Sequence, residues 1–250
     1  MKKTTEAPLG GELRSQQTAD RLIAELRDGL FAGATQLPSE VELAGALGIS
    51  RTVVRDALSL LEREGYLERV RGIGTRVNRD VLQVENRLDQ KMEFYRMIRA
   101  AGHTPHSDQL LVTREIAPPA LAQRLGFAGQ PSPTLVFVRR RVLADDLPVL
   151  YSTDILPLAL FDGQRLDTLD FTQPIFDIVS KYCHVEVTKT LAHLRAVTGS
   201  AAIRRQLGLR PDQALMQLEE TCYSRLCQAV LCCQTCYTDF FDFAIVRKLM

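Results

Sequence analysis

Several features that would assign this sequence to a class at once are missing from it. In its 250 residues no apolar run approaches the roughly 18 needed to span a bilayer. The opening Met-Lys-Lys-Thr-Thr-Glu-Ala-Pro has lysines but no apolar core behind them, so it does not read as a secretory signal. A cytoplasmic protein with no membrane partner is expected. Excess charge is also missing: 31 Lys and Arg stand against 30 Asp and Glu, for a net charge of +1. A strongly basic chain that coats nucleic acid is therefore excluded. The four histidines, His103, His106, His184 and His193, never occur as an i, i+4 pair that would set two metal ligands on one helix face. No nucleophile–base pairing, paired carboxylates or phosphate-binding loop stands out. No catalytic residue, metal or cofactor is predicted.

Cysteine is present but in an unhelpful pattern. Five of the six cysteines, Cys222, Cys227, Cys232, Cys233 and Cys236, crowd into one stretch. The paired Cys-x2-Cys knuckles of a zinc site are absent, and a cytosolic compartment argues against structural disulfides. On a strand, Cys232 and Cys236 face one side and Cys233 the other, so one segment cannot converge all of them on a metal. Burial as small apolar side chains is the main expectation. A thiol- or metal-responsive role for the cluster is the alternative.

What is there is concentrated near the N-terminus. Residues 1–16 read as a loose tail. From Thr18, a candidate N-cap, the residues Leu22, Ile23, Leu26 and Leu30 recur at helical spacing, and Gly33 follows. Ser39 and Glu42 form a capping box for a second helix closed by Gly48. Ile49 then leads to Ser50, the N-cap of a third helix running from Arg51 to about Glu64, with Val54, Leu58 and Leu61 on one face. Tyr66–Val70 and Thr75–Val77 read as strands joined through Arg71-Gly72-Ile73-Gly74. Helix, short helix, tight turn, helix and hairpin make a winged helix-turn-helix. Between Arg69 and Arg79 four arginines and no acid form a short basic strip.

The third helix carries the functional argument. Arg51 and Arg55 lie one turn apart, on the side away from the apolar stripe. Such a corner can enter the major groove, where arginine pairs with guanine O6 and N7. Ser50 and Thr52 are short donors at a helix N-terminus that favours an anion. Downstream, strands are expected at Gln109–Glu115, Thr134–Leu143, Val149–Ile155, His184–Arg195, Leu215–Arg225 and Ala229–Tyr237. Helices are expected at about 86–101, Phe176–Tyr182 and Ser200–Leu207. This is an α+β pattern, an antiparallel sheet with flanking helices. Two segments, from Arg141 and from Tyr223, echo one another as strand, turn and a Val-Leu strand opening, as two facing hairpins would.

Four segments, in order, carry a family resemblance: Leu37-Pro-Ser-Glu-Val-Glu-Leu-Ala, Leu47-Gly-Ile-Ser-Arg-Thr-Val-Val-Arg-Asp-Ala-Leu, Leu61-Glu-Arg-Glu-Gly-Tyr and Arg71-Gly-Ile-Gly-Thr. They resemble the DNA-binding domain of the GntR family of transcription regulators. The resemblance implies DNA contacts at Arg51, Thr52 and Arg55 and at the wing tip, Arg71 and Gly72; Ser39, Glu40 and Ser50 are counted with them. Val41 stands where many members place a polar or basic contact, and Arg76 where the wing often has an aromatic residue. Residues 88–250 resemble the UTRA ligand-sensing domain of the HutC branch, through Ile98-Arg-Ala-Ala-Gly-His, Arg140-Arg-Val-Leu-Ala-Asp-Asp-Leu-Pro-Val, Pro174-Ile-Phe-Asp-Ile, Leu207-Gly-Leu and Asp239-Phe-Phe-Asp-Phe-Ala-Ile-Val-Arg. The implied fold is like chorismate lyase. The implied ligand is a small polar or anionic metabolite, met by Arg140 and Arg141 with Tyr151, Ser152, Thr172 and Tyr237. A serine that often starts the helix at Pro174 is missing here.

The expected organisation is thus a tail (1–16), a winged helix-turn-helix (17–78), a linker (79–87) and an effector-binding, dimerising domain (88–250). The expected partners are double-stranded operator DNA, a small-molecule effector and a second copy of the chain. An enzyme built on the lyase-like fold is the less favoured rival.

Overall fold

The computed structural model describes residues 9–90, 93–210 and 212–248, with side chains from Arg14 onward. They form two compact units, one running to Gln90 and taking up the chain again from Phe243, the other Lys91–Asp242. Among the described residues no helix is long and apolar enough to cross a membrane.

In the first unit, helix α1 (Leu9–Arg27) starts well before the expected cap, so residues 9–16 are helical rather than a loose tail. Residues 1–8 of that expected tail lie outside the described residues. Thr18 is a buried mid-helix residue, and Ala19, Leu22 and Leu26 form the buried stripe. Helix α2 (Glu40–Leu47) has the expected capping box: Ser39 Oγ accepts from Glu42 N at 3.3 Å and Glu42 Oε2 accepts from Ser39 N at 2.9 Å. Gly48 ends it at φ 67°, a left-handed conformation that glycine adopts without Cβ strain. Helix α3 (Arg51–Arg63) is capped by Ser50 and buries Val54, Ala57, Leu58 and Leu61 against α1 and α2.

Strands β1 (Leu67–Val70) and β2 (Gly74–Val77) pair antiparallel as the wing. Residues 35–37 join them as a third, unforeseen rung, through Leu37 N to Thr75 O and Val77 N to Thr35 O, both at 2.9 Å. The expected linker is folded: α4 (Arg79–Gln83) is capped by Asn78 and tied to the end of α1 by Arg79 Nη1 to Leu26 O at 2.8 Å and Arg27 Nε to Leu82 O at 3.0 Å. Strand β3 (Asn86–Arg87) follows, so the helix expected over 86–101 shortens to α5 (Phe94–Ala100), whose N-cap is Glu93.

The second unit is a six-stranded antiparallel sheet. Its strands are β4 (Pro105–Ile116), β5 (Thr134–Ala144), β6 (Leu147–Pro157), β7 (Val187–Val197), β8 (Leu215–Ser224) and β9 (Ala229–Tyr237), in spatial order β4-β5-β6-β9-β8-β7. Two hairpins, β5–β6 and β8–β9, lie side by side along β6 and β9, which is the arrangement that the sequence echo implies. Each turn spends one non-glycine residue in the left-handed region, Asp145 (φ 53°) and Cys227 (φ 58°).

Cross-strand partners share a face of the sheet. On one face Val136, Val138, Leu156, Leu231 and Cys233 pack beneath α7 (Ile175–Cys183). On the other, Leu135, Phe137, Ile155 and Cys232 meet α6 (Pro119–Arg124), while Cys236 and Tyr151 meet α8 (Ala201–Leu207).

After β9 the chain returns to the first unit. Strand β10 (Phe243–Ala244) pairs parallel with β3, and Leu88 N donates to Ala244 O at 2.9 Å. Val246 N donates to Asp89 Oδ1 at 3.4 Å, and Lys248 Nζ donates to Glu62 O in the last turn of α3. Arg87 is buried here, with its guanidinium 4.7 Å from the centre of the Tyr66 ring and paired with Asp89. Residues 243–248 therefore pack with the helix-turn-helix unit, not with the domain expected over 88–250.

Candidate functional site

The first site is the N-terminal corner of α3. The Ser50 cap starts the helix so that Arg51, Thr52 and Arg55 lie outside the buried stripe, all three exposed. Arg51 and Arg55 are 59% and 53% exposed, which leaves both guanidiniums within reach of a partner. One carboxylate holds them together: Glu40 Oε2 accepts from Arg51 Nε at 3.2 Å and from Arg55 Nη2 at 3.3 Å. The Arg55 hydrogen bond, helped by the one from Arg51, keeps the Glu40 carboxyl below the usual glutamate range against the opposing pull of desolvation. Ser39 and Ser50 spend their hydroxyls on the helix caps. Val41 is 61% exposed beside them, an apolar side chain on the same outer surface.

The wing extends this surface. Arg71 and Gly72 are exposed at its tip, where Gly72 takes φ 81°. Gln36 Nε2 donates to Ile73 O at 2.7 Å beside Gly74, whose φ of 110° is a backbone conformation that a residue with a side chain rarely adopts. Arg69, part of the basic strip, is instead occupied inward: it donates to Ser59 Oγ at 2.8 Å and to Arg55 O at 3.2 Å, and pairs with Glu62. It anchors the wing to α3. Arg76 remains exposed on β2.

The second site is a small cavity of about 20 Å³ on the α7 face of the sheet, room for about one water molecule. Phe94 from α5 and Ile175 and Phe176 from α7 wall it on one side, Asp154, Glu220, Cys233, Thr235 and Tyr237 on the other, with Glu93 at the start of α5. Asp154 and Glu220 are both almost fully buried. Register explains the clustering: Asp154 faces Cys233, which faces Glu220, and Ser152 faces Thr235.

Arg140 lies in the same layer but does not open onto the cavity. It is fully buried, with Nη2 on Asp154 Oδ2 at 2.8 Å and Nη1 on the carbonyls of Gln173 at 2.7 Å and Phe171 at 3.3 Å. Ser152 Oγ donates to the same Asp154 oxygen at 3.0 Å.

The structure brings only part of the sequence-predicted effector set together. Tyr237 lines the cavity, and Arg140 and Ser152 support its Asp154 wall. Arg141 and Tyr151 face each other across β5 and β6 on the opposite face. There Arg141 pairs with Asp108 and donates to Gln206 O at 3.0 Å, and Tyr151 packs beside Leu207. Thr172 lines a separate open groove with Tyr95, Arg99, His106 and Asp177, and Thr172 O accepts from Tyr95 Oη at 3.1 Å. Sequence reading did not single out Glu93, Asp154, Glu220 or Thr235. The signal for Glu220 is alternation: Leu218 and Cys222 are core positions, so the acid between them must point inward as well.

The cysteines distribute as strand alternation predicts. Cys233 faces the α7 core and Cys232 and Cys236 the other face. Burial raises the thiol pKa of Cys232 and Cys236 and pushes that of Cys183 up to about 11. Cys227 alone among the described cysteines is exposed, in the β8–β9 turn, where Lys189 Nζ approaches its Sγ at 3.5 Å.

Comparison with known proteins agrees with this architecture. Residues 14–77 match the bacterial regulatory proteins of the gntR family, and residues 100–239 match the UTRA domain. The chain is 29% identical over 211 residues to the HTH-type transcriptional repressor NagR of Bacillus subtilis, an alignment covering 83% of each chain. It is 29% identical over 181 residues to the mannosyl-D-glycerate transport/metabolism system repressor MngR of Escherichia coli, covering 70% of this chain and 68% of that one. Among solved structures, YydK of Bacillus subtilis superposes with a TM-score of 0.73 at 15% identity, covering 94% of this chain and 99% of its own. PhnF of Mycobacterium smegmatis gives 0.60 at 22% identity, covering 95% and 99%. Those two likenesses concern the fold. Taken with the site geometry, the family matches show that this chain belongs to the GntR family of transcription regulators, in the HutC branch that couples a winged helix-turn-helix to a UTRA effector domain.

Proposed function

We propose that Arg51, Thr52 and Arg55, with the Arg71–Gly72 wing tip, read operator DNA, and that the second unit receives the effector that controls binding. The observation that carries the first half is the α3 corner. Two exposed guanidiniums one turn apart project from a capped helix N-terminus, with an exposed wing beside them. Arginine at such a corner pairs with guanine edges, while the helix N-terminus favours phosphate. Glu40 organises the two guanidiniums in the free protein and must yield them to DNA. Ser39 and Ser50 contribute by capping, which aims the helices, and through backbone amides near phosphate.

The chain acts as a homodimer in the cytoplasm, with two recognition helices reading half-sites about one helical turn apart. Effector binding shifts the population between arrangements that fit and do not fit those half-sites. Its relatives are transcriptional repressors, which favours repression over activation and regulation over catalysis. The test is a mobility-shift titration on DNA from upstream of the chain's own gene. Wild type binds specifically, and affinity falls steeply with salt because phosphate contacts release counterions. Normal specific binding by both Arg51→Ala and Arg55→Ala would remove the assignment.

A further inference from the structure

The cavity beneath α7 has room for about one water molecule, so a metabolite needs another place in the second unit. The open groove at the start of α7 has the size for one: about 520 Å³, against roughly 300–1,000 Å³ for small-molecule sites. Its walls come from α5, the start of β4 and the segment leading into α7, all within the second unit. That segment is held firmly. Asp170 accepts from Thr172 N at 3.0 Å, Thr172 Oγ1 at 2.6 Å and Gln173 Nε2 at 2.9 Å. Buried Arg140 donates to the carbonyls of Phe171 and Gln173, and Tyr95 Oη donates to Thr172 O. The groove is therefore preformed, and a ligand does not have to order it.

Two opposite charges stand in its walls. Arg99 in the last turn of α5 and Asp177 in the first turn of α7 are both exposed. Among the described residues neither side chain makes a hydrogen bond or an ion pair, with the other or with any third group. Arg99 lies 6.0 Å from the centre of the Tyr95 ring, and its field reaches Glu93 without a contact. The arginines of β5 differ: Arg139 is held by Glu115, Arg140 by Asp154 and Arg141 by Asp108. His106 and Ser107 add unpartnered side chains that can hydrogen-bond.

Either charge alone would be an ordinary solvated side chain. In one groove they select a ligand, because filling the groove takes water from both. An anion would pair with Arg99 and strip Asp177 of water without replacing it; a cation would do the reverse to Arg99. Each leaves one charge desolvated and unpaired, which is costly. A ligand carrying both charges satisfies both ends.

We propose that this groove binds a small zwitterion of the amino-acid class, its carboxylate on Arg99 and its ammonium on Asp177, and that this ligand is the effector. The effector role rests on the second unit being the domain that receives it. Calorimetry and thermal shift on the full-length protein, at fixed pH and ionic strength, compare compounds on one pentyl frame. Norvaline and 5-aminopentanoate carry both charges at different spacings, pentanoate carries the anion alone and pentylamine the cation alone.

At least one zwitterion binds roughly tenfold or more tighter than both singly charged compounds, as charged hydrogen bonds at two ends require. Arg99→Gln and Asp177→Asn each remove that advantage, while melting without ligand stays at the wild-type value because both side chains are exposed. Pentanoate that binds as tightly as the zwitterions, and is lost only in Arg99→Gln, overturns the charge class and leaves the groove as the site. Zwitterion binding indifferent to both substitutions overturns the groove, and no binding by any of the compounds overturns the proposal. A mobility shift with the bound zwitterion tests the effector role separately: changed operator affinity supports it, and unchanged affinity removes it while keeping the ligand site.

Discussion

Arginine meets carboxylate in both units of this chain, under opposite conditions. At the α3 corner Arg51 and Arg55 share Glu40 in the open, where water screens the pair and such contacts contribute about 0–1 kcal/mol. Within the sheet Arg140 and Asp154 form the same pair in full burial, where breaking one partner away costs about 3–5 kcal/mol. The difference separates a tool from a fastener. A weak, exposed pair can be exchanged for DNA at little loss; a strong, buried one cannot be exchanged for a ligand. Identical residue types thus have roles that exposure decides.

The largest test of that contrast is Asp154→Ala, which should lower stability by about 3–5 kcal/mol in urea melts by leaving Arg140 charged and unpaired in the interior. A loss below 1 kcal/mol would erase the distinction between the two pairs. Next come Arg51→Ala and Arg55→Ala, each expected to weaken specific operator binding by about 1–3 kcal/mol in mobility shifts, with the melting curve almost unmoved. Smaller again is Glu40→Gln. Because the Glu40 pKa is lowered in the folded state, its stabilising contribution is present above the ordinary glutamate range and is lost as pH falls through the lowered value. Acid titration of stability should therefore lose a small, salt-sensitive component in Glu40→Gln, and DNA affinity should hold or rise slightly. The smallest expected effect concerns thiols: with a thiol reagent, Cys227 should react in the native protein, while Cys183, Cys222, Cys232, Cys233 and Cys236 wait for unfolding. Fast native labelling of Cys232 would mean that the sheet opens far more readily than its burial implies.

What could be read in the sequence was local. The Ser39–Glu42 box, the Gly48 stop and the Ser50 cap are signals contained within a few residues, and both helices follow them. Strand alternation likewise placed Cys232, Cys233 and Cys236 correctly. The failures share a cause, which is dependence on partners far along the chain. Arg140 looks like an anion hook until Asp154, Phe171 and Gln173 are seen around it. Residues 79–87 look like linker because Asn78 and the end of α1, not an apolar period, make them helical. Thr18 resembles a cap only if the turns before it are not helical. For the candidate sites the same divide holds. The α3 corner is one contiguous stretch whose exposure was legible, whereas the cavity gathers residues from five elements, of which only Tyr237 was singled out.

The return of β10 to β3 has a topological consequence. The backbone passes between the two units twice, once after Gln90 and once after Asp242, and the strand pair fixes the ends of both crossings side by side. The first unit is therefore complete only once the chain has run through the whole of the second and come back. After the second crossing Lys248 reaches the last turn of α3, so this helix is held by a residue that the chain supplies only after the second unit.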